Sequence, residues 1–280
     1  MIGLGGIIGD MSGQPYEFVF PPIKTTDFLF LEPTINLFTD DTVMQLAVAA
    51  AILRDVDADF DTMTKNLQEI MQTYGRRYPD VGYGFNFYQW ILSQTPSPYQ
   101  SFGNGCVMRC VLIPWIYQND LGRCLEVAEL QTNITHNHPE SVKAAKCITH
   151  TMWLLLNGYS KDDVEQIVKD NYYPLDHDYE YLKAHATFDV SCQGCCPIAL
   201  TAFFQADNFE DIVRLSIAIG GDTDTLACIA GALAEACYGS PFQYQRIALQ
   251  ILPDDLSSIV YQLNEYVINT HMNFKGDTYV

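Results

Sequence analysis

Basic residues are what this chain has least of. Lys and Arg number 15 against 34 Asp and Glu in 280 residues, for a net charge of −19. No Lys/Arg cluster offsets that balance locally, so a nucleic-acid backbone would be repelled and is not an expected partner. No run of 18 apolar residues exists, which argues against a helical membrane span. Met1–Gly9 is apolar, yet it lacks a basic n-region and meets Asp10 too early for a signal peptide. Alternating strand patterns are scarce, and the best candidate, Thr187–Ser191, is short. There is no low-complexity linker, fixed-period repeat or compositional shift to mark a domain boundary.

What is present points to a folded helical protein. Hydrophobic residues make up 48% and charged residues 18% of the chain, a balance that excludes extensive disorder. Seventeen Tyr and 15 Phe supply material for packing and for ligand stacking. The nine cysteines are an odd, scattered set, several inside apolar helical patterns (Cys147, Cys228, Cys237). They read as reduced, buried thiols of a cytoplasmic protein. Apolar residues recur at three- and four-residue intervals over Asp41–Leu53, Met63–Tyr74, Glu140–Leu156, Asp211–Ile219, Thr225–Tyr238 and Asp255–Ile268. Gly, Pro and Asn interrupt the chain at Tyr78–Gly84, Thr95–Gly105 and Pro174–Asp178. The expectation is an all-α fold, one compact multi-helix domain over residues 1–280, with short strand pairs confined to loops.

Three acidic segments look like helix starts. Thr39-Asp40-Asp41-Thr42 precedes one helical run and Gly220-Gly221-Asp222-Thr223-Asp224-Thr225 another. Gly9-Asp10-Met11-Ser12-Gly13, with Glu17 nearby, is the third. Asp and Thr are preferred N-caps, so capping explains part of this pattern. A cap needs only one such side chain, however, and carboxylates packed this closely repel unless a cation neutralises them. Hard oxygen donors suit Mg²⁺, Mn²⁺ or Ca²⁺. Spacing alone leaves capping and metal binding balanced, and does not say whether the segments meet.

The blocks around these segments carry a resemblance. Gly9, Asp10, Gly13 and Glu17, the run Phe38–Thr42, the run Gly103–Arg109 (GNGCVMR), Thr135–Glu140 (THNHPE) and Gly220–Gly239 (GGDTDTLACIAGALAEACYG) resemble, in order, the ADP-ribosylglycohydrolase family. The resemblance implies an all-helical fold and a centre of two Mg²⁺ or Mn²⁺ ions. By motif it makes Thr39, Asp40, Asp41, Asp222, Asp224 and Thr225 metal ligands, with Asp41 and Asp222 also catalytic. It assigns Glu17 an assisting carboxylate role and Asp10 the orienting of the first segment. Phe102, Gly103, Asn104, Gly105, Met108 and His136 fall on the ADP-ribose side, the Gly103–Gly105 turn through backbone N–H groups and Phe102 by stacking.

The activity implied is hydrolysis of the glycosidic bond between ADP-ribose and a protein side chain or small acceptor. Another ADP-ribosyl conjugate such as O-acetyl-ADP-ribose is the alternative substrate, and a non-catalytic ADP-ribose-binding protein the alternative class. A monomer suffices for any of these. Several features are read otherwise. Cys192-x-x-Cys195-Cys196 lacks the further pair a zinc site needs, and the family pattern departs at Cys195–Ile198. Gly3–Gly9 fails the dinucleotide-loop spacing at Ile8. His138 is read as structural, before Pro139 at a helix start. Arg109 is read as the buried partner of a carboxylate rather than a substrate clamp. Tyr16–Glu32 is either a lid over the metals or a plain surface connection.

Overall fold

Gly5, Gly9 and Gly13 recur four residues apart along the first helix, α1 (Gly5–Gly13), and fix how closely its neighbour can approach. The chain continues through α2 (Asp40–Leu53), α3 (Phe60–Arg77), α4 (Phe85–Leu92), α5 (Gly105–Met108), α6 (Ile113–Ile116), α7 (Leu121–Asn133) and α8 (Pro139–Leu156). It then forms α9 (Lys161–Asn171), α10 (Tyr179–His185), α11 (Cys192–Gln205), α12 (Phe209–Ile219), α13 (Thr223–Tyr238), α14 (Phe242–Ile251) and α15 (Asp254–Val267). The structure is a computed structural model and describes residues 1–272. All six helices expected from apolar spacing form, and the fold is all-α. The strand candidate Thr187–Ser191 does not form a strand. Ser191 makes only an isolated bridge to Gly103, held by Asn104 N–H to the Val190 carbonyl and Cys192 N–H to that of Phe102, both at 2.8 Å.

A Cβ on Gly9 would fall 1.9 Å from the carbonyl oxygen of Ala227, and one on Gly13 2.2 Å from that of Thr223. The absent side chains let α1 lie backbone to backbone against α13. Every residue of α1 is buried, and α13 packs in turn on α8, α11 and α12. The N–H groups that open α1 find no local side-chain cap. Glu235, in the last turn of α13, supplies one instead: its carboxylate accepts from the N–H groups of Gly3, Leu4 and Gly5 at 2.9–3.2 Å. Orphan amides at a helix start attract a carboxylate for this reason.

Residues 17–39 form no regular element. They are tied down by Lys24, which donates to the Ile219 carbonyl at 2.5 Å, and by Arg214, which donates to the carbonyls of Thr26 and Phe28. No helix among the described residues is long and apolar enough to cross a membrane.

Candidate metal centre

Asp10 does not start a helix. It lies in the last turn of α1, from where its buried carboxylate reaches the N-terminus of α2. Oδ2 accepts from the backbone N–H of Thr39 (3.0 Å) and Thr42 (3.1 Å) and from the Thr42 hydroxyl (2.5 Å), while Oδ1 accepts from the Thr39 hydroxyl (2.8 Å). Burial raises its pKa to about 6 even against these four hydrogen bonds. Thr39 is the N-cap of α2 and accepts from Asp41 N–H at 3.2 Å. The first turn of α2 is thereby held from two sides.

The second segment enters α13 through Gly220 (φ +79°) and Gly221 (φ +98°), backbone conformations that L side chains rarely adopt. Asp222 sits at the N-cap position yet makes no capping hydrogen bond. Its Oδ2 accepts from Asn104 Nδ2 at 2.5 Å instead, so capping does not account for this carboxylate. Asp224 accepts from Thr225 N–H at 2.9 Å. Thr225 donates its hydroxyl to Asp41 Oδ2 at 3.2 Å, which brings the two acidic segments together. The other oxygen of Asp41, Oδ1, is buried with no hydrogen-bond partner. Glu17, Asp222 and Asp224 each place a carboxylate oxygen within 4.8 Å of the other two. Asp40 is half-buried and donates its N–H to the Val81 carbonyl.

The electrostatics follow from this crowding. Burial first, then the charges of Asp224 and Asp10, raise Asp40 and Asp41 well above the usual carboxylate range. Burial and the neighbouring Asp222 do the same to Asp224. Asp222 is raised to about 6, chiefly by burial, with the Asn104 hydrogen bond opposing. Burial and Asp224 push half-buried Glu17 up to about 8. A donor set of carboxylates and threonine hydroxyls, with one buried oxygen lacking a partner, is chemically suited to a hard divalent cation.

Both acidic segments and Glu17 line one cavity of about 460 Å³, within the range of small-molecule sites. The family model described as ADP-ribosylglycohydrolase matches residues 3–242. The chain belongs to that family. It is 25% identical over 269 residues to the ADP-ribosyl-[dinitrogen reductase] glycohydrolase of Rhodospirillum rubrum, covering 84% of each chain. It is 26% identical over 260 residues to the ADP-ribosylarginine hydrolase Tri1 of Pseudomonas putida, covering 84% of this chain and 69% of that one. Against the ADP-ribosylhydrolase ARH3 of Xenopus tropicalis the identity is 22% over 305 residues, with 84% and 85% covered. A solved ADP-ribosylglycohydrolase-related protein complex shares the fold, with a TM-score of 0.70, 21% identity and 94% and 95% of the chains covered.

In this glycohydrolase-family chain the remaining expected residues divide. Gly103, Asn104, Gly105, Met108 and His136 line the cavity with Thr39, Asp40, Asp41, Asp222, Asp224 and Thr225. Phe102 does not; the residue is 49% exposed and its ring lies 5.5 Å from that of His138. Of the three backbone donors expected of the Gly103–Gly105 turn, two are already engaged. Gly103 N–H goes to Ser101 Oγ at 3.1 Å and Asn104 N–H to Val190, so Asn104 serves the site through its side chain. Arg109 lines the cavity without the expected carboxylate partner: it donates to Gln131 Oε1, the Gln131 carbonyl and Thr135 Oγ1 at 2.5–2.6 Å. His138 caps α8, its Nδ1 accepting from Glu140 N–H at 3.1 Å. Cys192, Cys195 and Cys196 are buried free thiols, and the three-residue ligand grouping found among the described residues is carboxylate, not thiolate. Phe18, Phe85, Asn86 and Tyr99 also line the cavity. They lie in or beside loops and carry no pattern that would single them out in sequence.

Proposed function

We propose that this family member hydrolyses the glycosidic bond joining ADP-ribose to a protein side chain or small acceptor. In this reading Thr39, Asp40, Asp41, Asp222, Asp224 and Thr225 hold two Mg²⁺ or Mn²⁺ ions, and the chain acts as a single unit and a monomer. The observation that carries it is Asp41: one oxygen bonded to Thr225 of the other segment, the other buried without a partner, in a cavity lined by four more carboxylates. The names of the relatives, one acting on a dinitrogen reductase and one on ADP-ribosylarginine, support the substrate class. The bound metals would supply Lewis-acid polarisation and lower the pKa of a coordinated water.

The protein's own residues have separable tasks. Asp10 fixes Thr39 and the first turn of α2, and Asn104 fixes the orientation of Asp222. Glu17, its pKa raised to about 8, is suited to hold and pass on a proton at its carboxylate oxygen near neutral pH. Anionic side chains beside the reacting carbon favour the positive charge that develops as a glycosidic bond breaks. Gly103, Asn104, Gly105, Met108 and His136 form the ligand side of the cavity, with Phe102 at its margin.

The test is ADP-ribose release from arginine-linked and serine-linked ADP-ribosyl peptides. Release should vanish with EDTA, return with Mg²⁺ or Mn²⁺, and be absent in Asp41→Ala and Asp222→Ala. Full activity in both variants would refute the metal assignment. ADP-ribose binding without release from either peptide or from O-acetyl-ADP-ribose would favour a binding protein.

A further inference from the structure

Arg109 is a fully buried side chain whose hydrogen bonds all run to neutral oxygens. Its guanidinium also lies 5.6 Å from the centroid of the Phe87 ring. Gln131 is locked in the matching orientation, because the two hydrogens of its Nε2 face three acceptors, the carbonyls of Cys106 and Ala128 and Thr132 Oγ1. Its Oε1 is therefore left to accept from Arg109.

A guanidinium has donors only and keeps its proton at any ordinary pH. Thr135 Oγ1, 2.6 Å from Arg109 Nη2, must accept that hydrogen bond. The single hydrogen of the Thr135 hydroxyl then needs an acceptor of its own, and His136 Nδ1 lies 2.7 Å away. Thr135 is fully buried, so an unpaired hydroxyl would carry its whole desolvation cost uncompensated. With Nδ1 as that acceptor, the ring hydrogen falls to Nε2. That nitrogen lies 3.7 Å from the positions a Cβ would take on Gly103 and on Gly105, and all three residues line the cavity. Burial and the nearby Arg109 charge keep the imidazole unprotonated.

We infer that Arg109 and Thr135 are positioning residues that fix His136 as the Nε2–H tautomer, so that it presents a hydrogen-bond donor to an acceptor oxygen of the ligand beside the Gly103–Gly105 turn. The ligand's identity rests on the ADP-ribose reading; the tautomer does not. Arg109, Thr135 and His136 thus form a one-way chain of donors that begins at a permanent cation and ends in the cavity, with Gln131 accepting from Arg109 and holding it in place.

The experiment is a long-range ¹H–¹⁵N correlation of histidine-labelled, ligand-free protein, with His136 assigned by the signal lost in His136→Gln. The expected result is an acceptor-type Nδ1 and a protonated Nε2, unchanged between pH 6 and 8. Thr135→Val should give mixed tautomers and weaken ADP-ribose binding about tenfold, with Thr135→Ser restoring both. A protonated Nδ1 in the wild type would overturn the inference. So would a Thr135→Val variant, folded by circular dichroism, that keeps tautomer and affinity. A wild type with the expected tautomer that binds no ADP-ribose would leave the relay standing and overturn the ADP-ribose reading instead.

Discussion

Thr225 donates its hydroxyl to Asp41 Oδ2 at 3.2 Å across 184 residues of chain, so the first turns of α2 and α13 meet side chain to side chain. Helix α1 acts as the jig for this meeting. It grips α2 through the four hydrogen bonds to Asp10. It also lies against α13 through Gly9 and Gly13, with Thr223 Oγ1 donating to the Gly13 carbonyl at 2.9 Å. Two positive helix ends consequently face a cluster of carboxylates, which lessens their repulsion without removing it.

Asp41→Asn separates function from stability. Changes to groups that merely support metal ligands cost about 10–100-fold, so loss of a proposed ligand should lower metal-dependent release by more than about 100-fold. The melting temperature in EDTA should rise near neutral pH, because the amide avoids the proton uptake that folding demands of this crowded, buried carboxyl. A variant that melts well below the wild type in EDTA would contradict this account.

The metal-free protein should lose stability as pH rises. Glu17 is raised to about 8 and Asp222 to about 6 in the folded state, against roughly 4 in an unfolded chain. Between those values the folded protein binds more protons than the unfolded chain, so stability falls with increasing pH. Thermal melts in EDTA should therefore decline from pH ~4 to ~8, and saturating Mg²⁺ should abolish the decline. A melting temperature in EDTA that climbs over this range would show that the carboxylates are not crowded as described.

Asp10→Ala removes four hydrogen bonds at the start of α2, partly offset by relief of a buried carboxylate. A net loss of about 2–3 kcal/mol is expected in urea denaturation, together with Mn²⁺ affinity weakened about 10–100-fold as Thr39 loses its anchor. Asp10→Asn keeps one acceptor oxygen and should lie between the two proteins in both measurements.

Gly9→Ala puts a methyl group against the Ala227 carbonyl, and only a backbone shift of α1 or α13 relieves it. The loss should be about 3 kcal/mol. Gly122→Ala in α7, where a Cβ meets only Asp120 Oδ1 at 3.4 Å, should stay within about 1 kcal/mol of wild type. Equal effects at the two positions would remove the backbone-contact explanation.

The long amphipathic helices were legible because their apolar spacing records the face each one buries. Helix α1 was not, since four glycines in nine residues read locally as loop; the reason for Gly5, Gly9 and Gly13 lies on α13, more than 200 residues away. Asp10 was grouped with helix starts for the same cause. The acidic residues announced themselves by type, but that Asp222 leaves its helix uncapped to meet Asn104 depends on tertiary contact. Arg109 suggested a carboxylate partner, and the actual acceptors, Gln131 and Thr135, are neutral residues without a charge pattern to reveal them. Thr187–Ser191 has strand-like residues but pairs only at Ser191, too little to make a sheet.

Mn²⁺ binding measured by equilibrium dialysis is the most direct test of the claim that the two acidic segments form one metal centre. The account predicts two ions per wild-type chain, and the loss of both the shared site and metal-dependent release when either Asp41 or Asp222 is replaced by alanine. A wild-type chain that binds no more Mn²⁺ than the Asp41→Ala, Asp222→Ala double variant would contradict it.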